Sequence, residues 1–148
     1  MRGSKITLSG KQMEDALRAT GSRLTKPRKA ILDYLASTKS HPSATQVFKE
    51  ARKKYPGLSL ATVYNTLDTL IGTGLIKVMD FRVRDNRHET NLEPHINLIC
   101  TSCGAIQDFE ERVRVHAEKA REHFGFEVED CRMEYYGLCA SCSAGKKE

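Results

Sequence analysis

The sequence predicts an α+β chain in two parts: an N-terminal winged helix-turn-helix and a small C-terminal α/β dimerisation lobe that holds a structural zinc ion. Three observations predict it. Helical periodicity fills residues 11–71 and then gives way to an alternating, basic hairpin. Charge divides the chain, because residues 1–87 carry 17 Lys or Arg against 7 Asp or Glu while residues 88–148 carry 7 against 12. Two CxxC pairs, Cys100 with Cys103 and Cys139 with Cys142, mark the second part. The expected division is 1–91 for the winged helix and 92–148 for the metal-binding lobe.

Residues 11–19 and 26–37 show helical spacing. Pro27 stands in the first turn of the second helix, where its missing N–H costs nothing, and Ile31, Leu32 and Leu35 form the apolar stripe. His41-Pro42-Ser43 breaks that helix and offers an N-cap at Ser43. The third helix, 44–54, is expected to bury Val47, Phe48 and Ala51 and to show Arg52, Lys53 and Lys54 to solvent, until Pro56-Gly57 ends it. In 59–71, Leu60, Val63, Leu67, Leu70 and Ile71 share one stripe, and Ser59, Thr62, Asn65, Thr66 and Thr69 lie on the other side. A solvated helix usually displays Lys and Glu at i, i+4. Small hydrogen-bonding residues beside Tyr64 instead suit a groove lined with base edges. Gly72 and Gly74 stop this helix, 75–82 alternates as a strand, 82–87 (RVRDNR) is expected as a turn, and 88–91 as the returning strand. Three helices and a hairpin also make a plain structural bundle, but the basic charge of this half favours nucleic acid.

In the second part, 95–100 and 105–109 are expected as strands around the first CxxC turn. Residues 111–124 should form an amphipathic helix, 126–136 a strand leading to the second CxxC, and 143–148 a disordered tail. The sheet is short and its core thin, so the edge strand 126–136 has reason to pair with a second copy across a twofold axis. Four thiolates at about 2.3 Å suit tetrahedral zinc, and two turns offering two sulfurs each supply them. Thirty-five residues separate the pairs, so the metal would staple both ends of the lobe. A thiol oxidoreductase is the rival reading, but it needs one CxxC pair and gives the second no role. Cys131 is left over, and an odd number of cysteines does not close a disulfide framework. With no long apolar run and no apolar leader at the start, the expectation is a cytoplasmic chain without a membrane partner.

His41, Glu89, His95, Asn97 and Asp108 are scattered in sequence and fall at the expected joints: the helix break, the end of the wing, the hinge and the first sheet. Two imidazoles, carboxylates and an amide oxygen favour Fe(II) or Mn(II), whereas zinc more readily takes sulfur and tetrahedral nitrogen. Each histidine taken singly is more often a surface or capping residue, and His116 and His123 stay in that class. A metal-dependent hydrolase here would need a general base distinct from the ligands, and the sequence offers none.

The stretches 58–67 (LSLATVYNTL), 95–104 (HINLICTSCG), 106–109 (IQDF) and 136–142 (YGLCASC) closely resemble the ferric uptake regulator family. The resemblance runs from about Leu17 to Cys142. It implies a homodimeric, metal-dependent winged-helix repressor, not an enzyme, acting on a palindromic operator in double-stranded DNA. By position, Cys100, Cys103, Cys139 and Cys142 match the structural zinc ligands, and His41, Glu89, His95 and Asp108 match four of five regulatory ligands. Tyr64 matches a DNA-contacting tyrosine, with Thr62, Asn65 and Lys77 as further DNA-binding candidates. The fifth regulatory position, usually histidine, is Asn97. An amide there lowers affinity, cedes the position to water, or shifts selection toward Mn(II). Another sensory site of some members is missing, its positions being Ile96, Val115 and Arg132. Asp108 and the VYNT of 63–66 are most like the peroxide-sensing branch, whereas Glu89 is more like the iron-uptake branch. The mechanism this implies is that bound Fe(II) holds the lobes ready for DNA, and peroxide reacting there oxidises His41 or His95 and releases the operator. The alternative is a repressor of metal uptake that reads iron or manganese level without peroxide sensing.

Overall fold

The computed structural model describes residues 8–81, 84–111 and 116–145, and the chain divides into two compact units between Leu92 and Glu93. The first unit contains α1 (Gly10–Ala19), α2 (Lys26–Ser37), α3 (Ala44–Lys54), α4 (Leu60–Gly72), β1 (Lys77–Phe81) and β2 (Arg84–Glu89). Each helix begins on a hydroxyl: Ser9, Thr25, Ser43 and Ser59 accept from the N–H groups of Gln12, Arg28, Gln46 and Thr62. That satisfies one of the amides a first turn leaves open. At Ser9 and Ser43 the Gln side chain returns the bond to the cap's own N–H, closing a capping box. The apolar faces converge on Met13, Leu17, Ile31, Leu35, Val47 and Leu67, all fully buried.

Several details depart from the sequence expectation. Phe48 is only half-buried, and the Arg52 guanidinium lies 5.4 Å from its ring centre. Leu60, at the first position of α4, is 39% exposed. Thr66, expected on the solvent side, is fully buried, because its hydroxyl donates to the Thr62 carbonyl at 2.7 Å and so enters the core already satisfied. The returning strand starts earlier than expected: β2 pairs antiparallel with β1 from Phe81↔Arg84 to Lys77↔Glu89, with a register shift between Met79 and Phe81. Residues 84–87 therefore belong to the ladder rather than to a turn, and 82–83 lie outside the described residues.

The second unit contains β3 (Ile96–Cys100), β4 (Ile106–Phe109), α5 (Ala117–Phe124), β5 (Met133–Gly137) and α6 (Ala140–Ala144). Its sheet has the order β4-β3-β5, with β3 antiparallel to β4 and parallel to β5. A parallel neighbour needs a crossover, and the chain between β4 and β5 provides it. The strand expected over 126–136 shrinks to Met133–Gly137, since β3 offers only five residues and the ladder from Ile96↔Met133 to Cys100↔Gly137 uses all of them. The helix expected over 111–124 is Ala117–Phe124, and Gly125 ends it at φ 62°. Residues 112–115 lie outside the described residues. Ser143 and Ala144, expected in a disordered tail, close α6, and 146–148 lie outside the described residues. Among the described residues no helix is long and apolar enough to cross a membrane.

Candidate functional site

The two CxxC pairs meet inside the second unit. The sulfurs of Cys100, Cys103, Cys139 and Cys142 lie within 4.8 Å of one another. Because β3 and β5 run parallel with Cys100 beside Gly137, both hooks leave the sheet at the same end. Gly104, at φ 74°, reverses the chain after the first pair and donates its N–H to the Cys100 carbonyl at 2.9 Å. The N–H and hydroxyl of Thr101 both donate to the Gly137 carbonyl, at 2.8 and 3.1 Å, and tie the first hook to the second strand. The Cys103 and Cys139 sulfurs are 3.8 Å apart. That matches the edge of a tetrahedron built on metal–sulfur bonds of about 2.3 Å and far exceeds a disulfide bond of about 2.05 Å.

The electrostatics of the cage also suit a cation. Backbone amides of Cys103 and Cys139 hold the Cys100 thiol down to about 5, and the Cys139 N–H lies 3.3 Å from its sulfur. Cys142 moves the other way: a bond from Ser102 lowers it, but the sulfurs of Cys139, Cys103 and Cys100 outweigh that and push it up to about 11. Sulfurs this crowded cannot all ionise without a positive charge among them, and tetrahedral zinc supplies that charge. Cys131 is an exposed thiol outside this group.

In the first unit the break at His41-Pro42-Ser43 lies against the end of β2. His41 Nε2 and Glu89 Oε2 are 2.6 Å apart and both residues are buried. The other Glu89 oxygen accepts the Asn91 N–H at 2.6 Å. Two further ties bind β2 to this segment. The His88 N–H donates to the Pro42 carbonyl at 3.1 Å, and the Arg87 guanidinium donates to the His41 carbonyl and to Gln46 Oε1, each at 3.1 Å. Burial holds the His88 imidazole below the ordinary histidine range, against the pull of the Pro42 carbonyl.

In the second unit Asn97 faces Asp108 across the β3–β4 ladder. His95 Nε2 lies 3.3 Å from Asn97 Oδ1, and His95 Nδ1 lies 2.7 Å from the Glu93 carbonyl. Imidazole and carboxylate in one unit, and imidazole, amide and carboxylate in the other, are donor sets that fit Fe(II) or Mn(II).

Of the DNA-binding candidates, Tyr64 is 49% exposed and Asn65 beside it is exposed. Thr62 is half-buried, its hydroxyl 2.8 Å from that of Ser59, so it also serves the helix cap. Lys77 opens β1 and is half-buried. Arg87 and Asn91 escaped the sequence reading. The available signal for Arg87 was its place two residues before Glu89, on the same face of a strand rather than in a turn.

A winged helix that exposes Tyr64 and Asn65, followed by a lobe with four convergent thiols, defines a metal-binding regulator of the helix-turn-helix class. Residues 19–136 match the sequence model of the Ferric uptake regulator family, and the chain belongs to that family. It is 37% identical over 139 residues to the peroxide operon regulator of Bacillus subtilis, covering 93% of this chain and 94% of that one. Among solved structures, the Campylobacter jejuni peroxide stress regulator superposes with a TM-score of 0.66 at 28% identity, over 87% of this chain and 94% of that one. A zinc-bound manganese uptake regulator gives a TM-score of 0.64 at 30% identity, over 86% of this chain and 98% of that one.

Proposed function

We propose that this chain is a metal-dependent, DNA-binding repressor of transcription that peroxide inactivates. Zinc belongs with Cys100, Cys103, Cys139 and Cys142, where it fixes the lobe. Fe(II) or Mn(II) belongs with His41, Glu89, His95, Asn97 and Asp108, where its occupancy controls DNA binding. The observation that carries the reading is the buried contact of His41 with Glu89 at the end of β2. Arg87 and His88 fasten that pair to the wing, which puts ligand chemistry directly on the DNA-binding unit. The names of the Bacillus subtilis and Campylobacter jejuni relatives support peroxide as the signal. The manganese uptake regulator supports the alternative, a repressor that reads metal level alone.

When bound, Fe(II) supplies charge to balance the carboxylates and a one-electron reductant for peroxide beside two imidazoles. His41 and His95 are the side chains placed to be oxidised. One oxygen added to the His41 ring would cost its hold on Glu89 and, through Glu89, the fixed end of β2.

The chain works as a cytoplasmic homodimer. β5 is an edge strand, and Tyr135 and Tyr136 on it are 53% and 61% exposed, as an interface between copies requires. Two α4 helices then read a palindrome whose half-sites lie about one helical turn, or a simple multiple, apart. Tyr64 and Asn65 reach base edges, with Thr62 and Lys77 beside them.

The test loads the protein separately with Fe(II) and Mn(II), adds a few equivalents of peroxide, and follows mass and DNA affinity together. The Fe(II) protein should gain one oxygen on the peptide holding His41 or His95 and lose its palindromic operator, while the Mn(II) protein stays unmodified and bound. Intact histidines with retained operator binding in the Fe(II) protein would overturn the peroxide reading in favour of the metal-level repressor.

A further inference from the structure

We infer that Asp68 is a specificity-determining residue of α4, accepting a hydrogen bond from the N4 amino group of a cytosine in each half-site. The inference deepens the reading above and rests on α4 being the helix that enters the major groove.

The helix itself poses the question. Asp68 is the only charged residue from Leu60 to Gly72. Each residue turns a helix by about 100°, so Ala61, Tyr64, Asn65 and Asp68 fall on one face. All four are exposed. The hydroxyls of the same helix are already engaged: Thr62 Oγ1 lies 2.8 Å from Ser59 Oγ, Thr66 donates to the Thr62 carbonyl at 2.7 Å, and Thr69 donates to the Asn65 carbonyl at 2.8 Å. Asp68 makes no hydrogen bond or ion pair among the described residues. Its charge reaches the buried His88 imidazole only through space. The polar tips left open on the face are therefore those of Tyr64, Asn65 and Asp68.

The chemistry follows from the charge. Phosphates repel an open carboxylate, so it favours binding only where a base edge offers it a donor. In the major groove cytosine offers an amino group at N4 and adenine one at N6. Adenine sets an acceptor, N7, beside its amino group, which suits the amide of Asn65 and repels a carboxylate. Cytosine presents its amino group without that neighbour. The spacing suits two adjacent contacts. Asn65 and Asp68 are separated by about 4.5 Å along the helix, and successive bases of one strand rise by about 3.4 Å. With Asn65 on an adenine, Asp68 reaches a cytosine one or two base pairs away.

The experiment selects duplexes from a randomised double-stranded DNA library with zinc-replete, Mn(II)-loaded full-length protein. Affinities for the selected duplex and for each of its single-base-pair variants are then measured at fixed salt with wild type, Asp68→Ala and Asp68→Asn. The wild type should select a half-site with a C·G pair one or two steps from an A·T pair, and should lose about five- to tenfold when that C·G pair is changed. Asp68→Ala should erase the preference at that pair alone. Asp68→Asn, nearly identical in shape, should move it toward A·T, because an amide reads adenine. Both variants should bind random duplexes at least as tightly as the wild type, since a charge repelled by phosphate is gone. An Asp68 that only steadied His88 would, when replaced, weaken every duplex alike and leave each base preference intact, and that result overturns the inference. A wild-type half-site without a C·G pair at that spacing overturns it as well. A wild-type protein that selects no duplex at all removes the DNA-binding reading itself.

Discussion

Arg87→Ala tests whether the wing is held to the segment that carries His41. In the wild type one guanidinium nitrogen donates to the His41 carbonyl and to Gln46 Oε1, each at 3.1 Å. Next to it, the His88 N–H donates to the Pro42 carbonyl at 3.1 Å. A hydrogen bond from a charged donor contributes about 1.5–3 kcal/mol. Here one nitrogen serves two acceptors and the side chain is half-buried, so the pair together contributes about 1–2 kcal/mol. Local opening between β2 and the segment 41–43 should therefore become roughly five- to thirtyfold more frequent. Amide hydrogen exchange reads this directly: the His88 N–H should exchange faster by that factor. The Val47 N–H, bonded to the Ser43 carbonyl at 2.9 Å, should not change, because Gln46 still accepts from the Ser43 N–H at 2.8 Å and keeps the α3 cap closed. A wild-type exchange rate at His88, or equal acceleration at Val47, would refute the clamp.

Three further substitutions separate the roles of the units. Cys100→Ser removes the thiol held down to about 5 and the acceptor of the Cys139 amide. It should abolish stoichiometric zinc by atomic emission and dissociate the dimer in size-exclusion chromatography, because the metal's binding energy is folding energy in so small a lobe. Cys131→Ser should leave both intact, and a zinc-replete Cys100→Ser dimer would exclude the cage. Asn65→Ala should weaken operator binding by about 1–3 kcal/mol per half-site. The salt dependence and affinity for random DNA should hold, since Asn65 is uncharged; equal loss on random DNA would count against readout by α4.

The helices of the first unit were legible because their signals are local. Ser43 announces a cap, Pro27 a first turn, and Leu67 and Leu70 a buried stripe, all within a few residues of what they control. The thiol cage was legible for the same reason, since two sulfurs per turn is a short-range pattern. What the sequence hid depends on partners far along the chain. Strand β5 stops where β3 runs out of residues, and no pattern in 126–136 contains that information. Thr66 looked like a surface residue because its type is polar, whereas its hydroxyl closes on the helix's own backbone. His41 and Glu89 meet across 48 residues, a distance over which periodicity says nothing, and only the family resemblance put them in one site. Arg87 was hidden in a run that resembled a turn, and only the register of β1 with β2 makes it a clamp.

The parallel pairing of β3 with β5 has a consequence for how the lobe is assembled and how it can vary. The two hooks are aligned by the ladder from Ile96↔Met133 to Cys100↔Gly137 and not by the segment that connects them. Insertions or deletions in that connection would leave the sulfurs where they are. A slip of one residue in β5 would shift Cys139 by about 3.3 Å and turn neighbouring side chains to the opposite face. Only the correct register completes the tetrahedron, so the ion acts as a proofreader of strand alignment: a lobe that folds out of step cannot retain it.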